Sequence, residues 1–306
     1  MVMATSETTD ALDARRWPSR RVISARAPRL LGCVLALAGI SLLQGCSSST
    51  GDLQAALNPD PPGQMFAAAD KLMGRGKYES AAKKFEDLDR DHPYAPEARR
   101  AIVMAAYAYY KAGKLPEAIA SAERYTTMHP GTKEAALAHH IIASSYFDEM
   151  GTPNRDQSST KKALRELKKL KAQYPDSEYA QKADNRIRLA EDTLAASEME
   201  VGRYYLKNGN HVAAINRFKS VVSEYQTTAH VEEALMRLVE SYMALGIKPE
   251  AQSAAAVLGH NFPNSRWYKD AYALLQTDGL APRENSESWI SKAWKAVPKL
   301  SLGGPT

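Results

Sequence analysis

Five short stretches recur along this chain. They are HPYAPEARRA from His92, HPGTKEAALA from His129, YPDSEYAQKA from Tyr174, YQTTAHVEEA from Tyr225 and FPNSRWYKDA from Phe262. Each starts with an aromatic or His, then Pro (Gln226 in the fourth), a short polar turn and an alanine-bearing helix start. Their second residues, Pro93, Pro130, Pro175, Gln226 and Pro263, are spaced by 37, 45, 51 and 37 residues. Repetition on this scale is the most restrictive feature of the sequence. Such units cannot bury an apolar face alone, so they fold only by stacking into a solenoid.

A second pattern lies upstream of each stretch. The first unit has Gly76, Tyr78, Ala81, Phe85 and Leu88, and the second has Gly113, Leu115, Ala118, Ala122 and Tyr125. The fourth has Gly209, Ala214, Phe218 and Val221, and the fifth Gly246, Ala251, Ala255 and Leu258. Gly turns the chain between two helices, Ala lets them approach, a larger residue fills the groove, and Pro ends the second helix. The third unit keeps Ala163, Leu167, Leu170 and Pro175, but it has lost the Gly and carries the insertion DEMGTPNRDQSST. An extra helix, roughly Tyr179 to Ala196, is expected to account for the 51-residue spacing. Packing positions in the first helices include Ile102, Ala105, Ala106 and Tyr109, and Leu235, Leu238, Val239 and Tyr242. Asp270 to Leu275 reads as the end of a capping helix.

These features resemble the tetratricopeptide repeat. The resemblance implies an all-α fold, a right-handed superhelical solenoid of about five repeats. It also locates a concave surface lined by the first helix of each unit. In the second repeat the lining positions fall on Arg100, Val103, Tyr107, Tyr110 and Lys111. Aromatics and cations on one face suit an extended peptide that ends in an apolar or aromatic residue and a carboxylate. Tyr109 is expected to pack between repeats, while Tyr107 and Tyr110 fit the groove and the packing equally well.

The amino-terminal segment is a different kind of sequence. Arg15, Arg16, Arg20, Arg21, Arg26 and Arg29 precede Leu30 to Leu43, 14 residues without charge. A spanning helix needs about 20, so the run reads as a cleaved secretory signal. It ends in Leu43-Gln44-Gly45-Cys46, which resembles the bacterial lipobox. The resemblance implies a diacylglyceryl thioether on Cys46, cleavage before it and acylation of the new amino terminus. Multiple acyl chains anchor a protein stably where one does not. Cys33 leaves with the leader, so the mature chain would keep one cysteine. Ser47 at the next position favours the outer membrane on the same family grounds. Ser47 to Gln64 is small, polar and Pro-rich, a flexible tether. Of 40 basic and 35 acidic residues, 34 and 32 remain once residues 1–45 are removed, a net of +2. That balance gives no footprint for nucleic acid, which is not an expected partner.

The organisation expected is therefore a signal peptide over 1–45, a lipid-anchored tether over 46–64, and a five-repeat domain over 65–276. The repeats fall at about 65–94, 95–131, 132–176, 177–227 and 228–276. A tail, expected to be partly disordered, runs over 277–306, and both self-docking and partner contact fit its Trp289, Trp294 and Val297.

No phosphate loop, HExxH, CxxC or nucleophile elbow occurs. His139 and His140 are neighbours on a helix and point about 100° apart, which does not suit one metal. Lys161 to Lys171 carries six basic residues around the apolar stripe Ala163, Leu167, Leu170 and Tyr174, and it reads as a solvated face. The expectation is a binding scaffold and not an enzyme. No metal and no cofactor are expected beyond the covalent lipid on Cys46.

The lipobox, the Pro-containing tether and the words HPYAPEA, AYAYYKAGKLPEAI, YPDSEYA and YYLKNGNHVAAINRF together resemble the BamD family, over about residues 46–276. This resemblance implies a periplasm-facing outer-membrane lipoprotein of the β-barrel assembly (BAM) machinery. It implies C-terminal repeats that hold the last POTRA domain of BamA, other BAM lipoproteins as neighbours, and an N-terminal groove for the C-terminal strand of unfolded barrel proteins. Arg217, in Asn216-Arg217-Phe218, matches the family arginine that meets an acidic residue of BamA. The position of another family arginine is Asn208 here. Two other readings stay open: a tetratricopeptide pilotin lipoprotein that escorts a secretin or pilus, and a periplasmic coordinator of envelope constriction.

Overall fold

The computed structural model describes residues 60–296. Among them are thirteen helices and no strand. Five pairs form the repeats: α1 (Pro62–Gly74) with α2 (Tyr78–Asp91), α3 (Pro96–Lys111) with α4 (Leu115–Met128), and α5 (Lys133–Asp148) with α6 (Ser158–Gln173). After the short α7 (Glu178–Gln181) come α8 (Asp184–Lys207) with α9 (His211–Glu224), and α10 (Val231–Ala244) with α11 (Lys248–Asn261). The capping helix α12 (Arg266–Thr277) and the tail helix α13 (Trp289–Ala296) complete the order. From α1 to α6 and from α8 to α12 each helix packs on its neighbour in sequence, and the first helix α3 also touches the first helices α1 and α5. This is a tetratricopeptide-repeat solenoid.

The repeat pattern is the packing. Ala81, Phe85, Leu88, Ala118, Ala122, Tyr125, Ala163, Leu167, Leu170, Ala214, Phe218, Val221, Ala251, Ala255 and Leu258 are all exposed by 1% or less. The first-helix residues Ile102, Ala105, Ala106, Tyr109, Leu235, Leu238, Val239 and Tyr242 are buried as well. Tyr109 reaches back to α2, where its hydroxyl donates to Glu86 at 2.7 Å.

The turn inside a repeat has one geometry. Gly76, Gly113, Gly209 and Gly246 sit at φ 72–74°. The next residue then donates its N–H back to the carbonyl five residues earlier: Lys77 to Leu72, Lys114 to Tyr109, Asn210 to Tyr205 and Ile247 to Tyr242, at 2.9–3.0 Å. This is the left-handed closure for which Gly carries no Cβ penalty. The third repeat closes differently. Its loop between α5 and α6 is held by Gln157, whose amide donates to the carbonyls of Thr152 and Arg155 at 2.9 and 3.0 Å.

The turn between repeats is equally uniform. His92, His129, Tyr174, Tyr225 and Phe262 cap α2, α4, α6, α9 and α11 with φ between −128° and −135° and ψ between 40° and 59°. A following Pro excludes the helical region from the residue before it. Tyr225 adopts the same conformation before Gln226, so stacking enforces it even where Pro is missing.

Two expectations need correction. The extra helix Tyr179–Ala196 is not a separate element, because its residues divide between α7 and the amino-terminal half of the 24-residue α8. No Pro interrupts Asp184–Lys207, and its one glycine, Gly202, is buried under Phe218, so nothing breaks the helix. The Pro-rich stretch read as tether up to Gln64 already contains the start of α1, since Pro62 takes the first helical position. In the tail, residues 289–296 are helical and packed on the repeats. Val297 lies outside the described residues.

The apolar interior forms two large clusters. One joins α1 to α5, and the other takes in Leu164 of α6 and runs on through α8 to α13. Two small groups, Ala136 with Leu170 and Ala180, and Ala143 with Leu167 and Ala183, bridge them at the third repeat.

Candidate functional site

The residues expected to line the groove lie on α3, which packs against α1 on one side and α5 on the other. Arg100 is exposed, and its guanidinium lies 5.1 Å over the ring of Phe66 from α1. Tyr107 and Tyr110 are half-buried against the amino-terminal core, so they serve packing and surface together. Lys111 is exposed at the end of α3. Val103 is a correction: it is 2% exposed and belongs to the core, not to the groove lining.

The structure gathers further residues around Tyr110. Arg186 of α8 donates from Nη1 to the Ser144 hydroxyl of α5 at 2.6 Å, and its guanidinium lies 5.2 Å over Phe147. Burial raises the Tyr110 phenol above its ordinary range, helped by nearby Asp148, while nearby Arg186 acts in the opposite sense. His140 stacks on Tyr179 of α7 with centroids 4.7 Å apart. Burial, then Arg186 and Lys182, push the imidazole down to about 4, so it is neutral at physiological pH.

Sequence reasoning missed His140, Ser144, Phe147, Tyr179 and Arg186, yet a signal for three of them was present. Carrying Arg100, Val103, Tyr107, Tyr110 and Lys111 forward by 37, the spacing from Pro93 to Pro130, lands on Leu137, His140, Ser144, Phe147 and Asp148. Tyr179 and Arg186 come from the irregular segment after the third repeat, where no repeat register applies.

The arrangement combines aromatic faces with a guanidinium in a half-buried setting. A guanidinium has five N–H donors, so one bond to Ser144 leaves capacity for a carboxylate. Among the described residues no group of three or more His, Cys, Asp or Glu is placed to hold a metal ion.

Arg217 occupies a separate surface on α9. Its side chain is 44% exposed and contacts Glu198 of α8 at 3.2 Å. An exposed pair of this kind is worth little and is readily exchanged for another carboxylate. Arg203 of α8 meets Glu233 of α10 through two bonds, at 2.9 and 2.7 Å. Asn208 ends α8 and donates to its own Tyr204 carbonyl at 2.8 Å. Cys46 lies outside the described residues, and among those described no helix is long and apolar enough to cross a membrane.

Helix pairs stacked in register, with aromatic and cationic side chains gathered from α3, α5 and α8, define a repeat protein. The chain belongs to the YfiO family of outer membrane lipoproteins, whose model matches residues 58–258. It is 39% identical to an outer membrane protein assembly factor BamD from Caulobacter vibrioides, over 86% of this chain and 85% of that one. It is 36% identical to the protein of the same name from Rickettsia prowazekii, over 81% and 97%, and 30% identical to that from Neisseria meningitidis, over 76% and 92%. These relatives support a role in outer-membrane protein assembly. A thermophilic TPR protein from Thermus thermophilus aligns over 70% of the chain with a TM-score of 0.32, which is too low to bear on the argument.

Proposed function

We propose that the chain is a non-enzymatic scaffold lipoprotein of the BAM complex, tethered to the outer membrane through lipid on Cys46. In this reading the groove between α3, α5 and α8 receives the C-terminal strand of unfolded outer-membrane proteins, and the surface around Arg217 holds a periplasmic POTRA domain of BamA. The observation that carries it is the juxtaposition of Tyr110, Phe147 and Arg186, contributed by three helices. An aromatic side chain followed by a free carboxylate is the chemistry such a groove would select.

Each surface has its own test. Arg217→Glu places an anion beside Glu198 and removes the cation offered to BamA. The expected outcome is a lower yield of BamA on co-purification from solubilised envelopes, with unchanged helical content; an unaltered yield would remove Arg217 from the interface. Arg100→Ala and Tyr107→Ala are expected to weaken binding of peptides ending in a barrel targeting strand. Equal affinity in both variants would argue against the groove.

A further inference from the structure

The tail helix α13 lies on α9 and α11, across the turns that end the fourth and fifth repeats. Trp289 donates its indole N–H to the Tyr242 hydroxyl at 2.9 Å, and the Lys219 ammonium sits 4.8 Å over its ring. Ile290 is fully buried. Trp294 meets Phe262 edge to face at 6.1 Å. Ser288, just ahead of the helix, accepts from the Ile290 N–H at 3.2 Å and donates to Glu250 at 2.5 Å. Gln226 donates to the Ala293 carbonyl at 3.1 Å. Gln226 stands where the four other repeats have Pro, which carries no such donor. The repeat departs from its own pattern at a residue that holds the tail.

Other features show that this docking is weakly secured. The described part of α13 is too short to form a stable helix alone in water, so its docking holds it helical. The Ser291 hydroxyl is buried in the interface without a hydrogen-bond partner, an uncompensated polar burial. The two ion pairs nearest the helix, Lys292 with Glu287 and Lys295 with Glu284, join tail to tail and contribute no attachment to the repeats. Upstream, the linker touches α11 through Gln252, which bonds the Ala281 carbonyl at 2.7 Å and accepts from the Arg283 N–H at 3.3 Å.

We propose that the face of α9 and α11 is a docking groove for a short amphipathic helix with Trp-Ile-x-x-x-Trp spacing. α13 is its tethered occupant, and a partner helix of the same chemistry exchanges with it. The groove supplies a phenol for an indole N–H, an aromatic edge, a carboxylate for the capping Ser and a cation for the indole face. Tethering gives α13 an effective concentration in roughly the millimolar range, so a free helix competes only when it binds more tightly or the clasp is weakened.

The test uses the full chain and a fluorescein-labelled peptide spanning residues 284–296. Trp289→Ala combined with Trp294→Ala removes the clasp but leaves Tyr242, Phe262, Glu250 and Gln226 in place. The double variant is expected to bind the peptide saturably, and the unmodified chain about tenfold more weakly. A peptide carrying Trp289→Ala is expected to lose binding. Equal binding by both chains, no binding by a double variant with native helicity, or full binding by the altered peptide would overturn the proposal. Hydrogen exchange on the unmodified chain gives a second measurement that needs no variant. Excess unlabelled peptide should speed exchange across residues 289–296 while α9 and α11 stay protected; unchanged exchange there would also overturn it.

Discussion

Gly202 faces the ring of Phe218, and a Cβ placed on it would lie 2.4 Å from the ring. Phe218 is fully buried and cannot withdraw, so α8 and α9 would have to part. Gly202→Ala is therefore expected to cost roughly 1–3 kcal/mol in urea denaturation. Gly259 meets Tyr268 at the same 2.4 Å, but Tyr268 is half-buried and can swing out, so Gly259→Ala should cost less. His140 gives a pH signature. Its pKa falls from 6.5 to about 4 on folding, so between those values the unfolded chain binds more protons. Stability attributable to it is present above about 6.5, declines as pH falls through that window, and levels off below about 4. His140→Gln should flatten this part of the stability profile; an unchanged slope would show that the imidazole is not desolvated. In the sequence the repeat register marks only the position of His140. Its role was illegible there because it depends on Tyr179 and Arg186, which no local pattern places beside it.

At the scale of elements, the helix pairs were legible because Gly turns, Ala contacts and Pro stops each have a local physical cause. The segment between the third and fourth repeats was not. Its length was visible in the 51-residue spacing, but no Gly or Pro stands near Ala196 to part it from the helix that follows, and it runs straight on within α8. The tail was undecided for a related reason: tryptophans among polar residues suit any apolar groove, and the groove on α9 and α11 exists only once the repeats stack. A buried pair ties one element to the next in the third repeat, where His139 of α5, 4% exposed at its side chain, meets Glu166 of α6 at 3.0 Å. Glu166 is held below the usual carboxylate range: burial alone would raise it, but the hydrogen bond to His139 and the nearby cations Lys169 and Arg165 outweigh that. Glu166→Ala leaves the imidazole without this partner, and a loss of about 1–3 kcal/mol is expected by thermal or urea unfolding.

Among the described residues the two large apolar clusters meet inside the third repeat, between α5 and α6. Leu167, 1% exposed, belongs to one of the bridging groups. In a solenoid, stability is close to a sum of repeat and interface contributions. Leu167→Ala is expected to cost about 2–5 kcal/mol and to split urea unfolding into separate transitions of the α1–α5 and α6–α13 halves, read by hydrogen exchange. A single coincident transition would mean that the halves remain coupled by other contacts. The same junction brings Arg186 of α8 near Tyr110 of α3, where the proposed groove lies. Binding there should therefore depend on how the halves are held together. The most direct test of the account is calorimetric titration of a peptide ending in an aromatic residue, with a free or an amidated carboxyl group, into the unmodified chain and into Arg186→Gln. The account predicts that the unmodified chain prefers the free carboxylate and that Arg186→Gln loses the preference. Equal binding of the free and amidated peptides by the unmodified chain would contradict it.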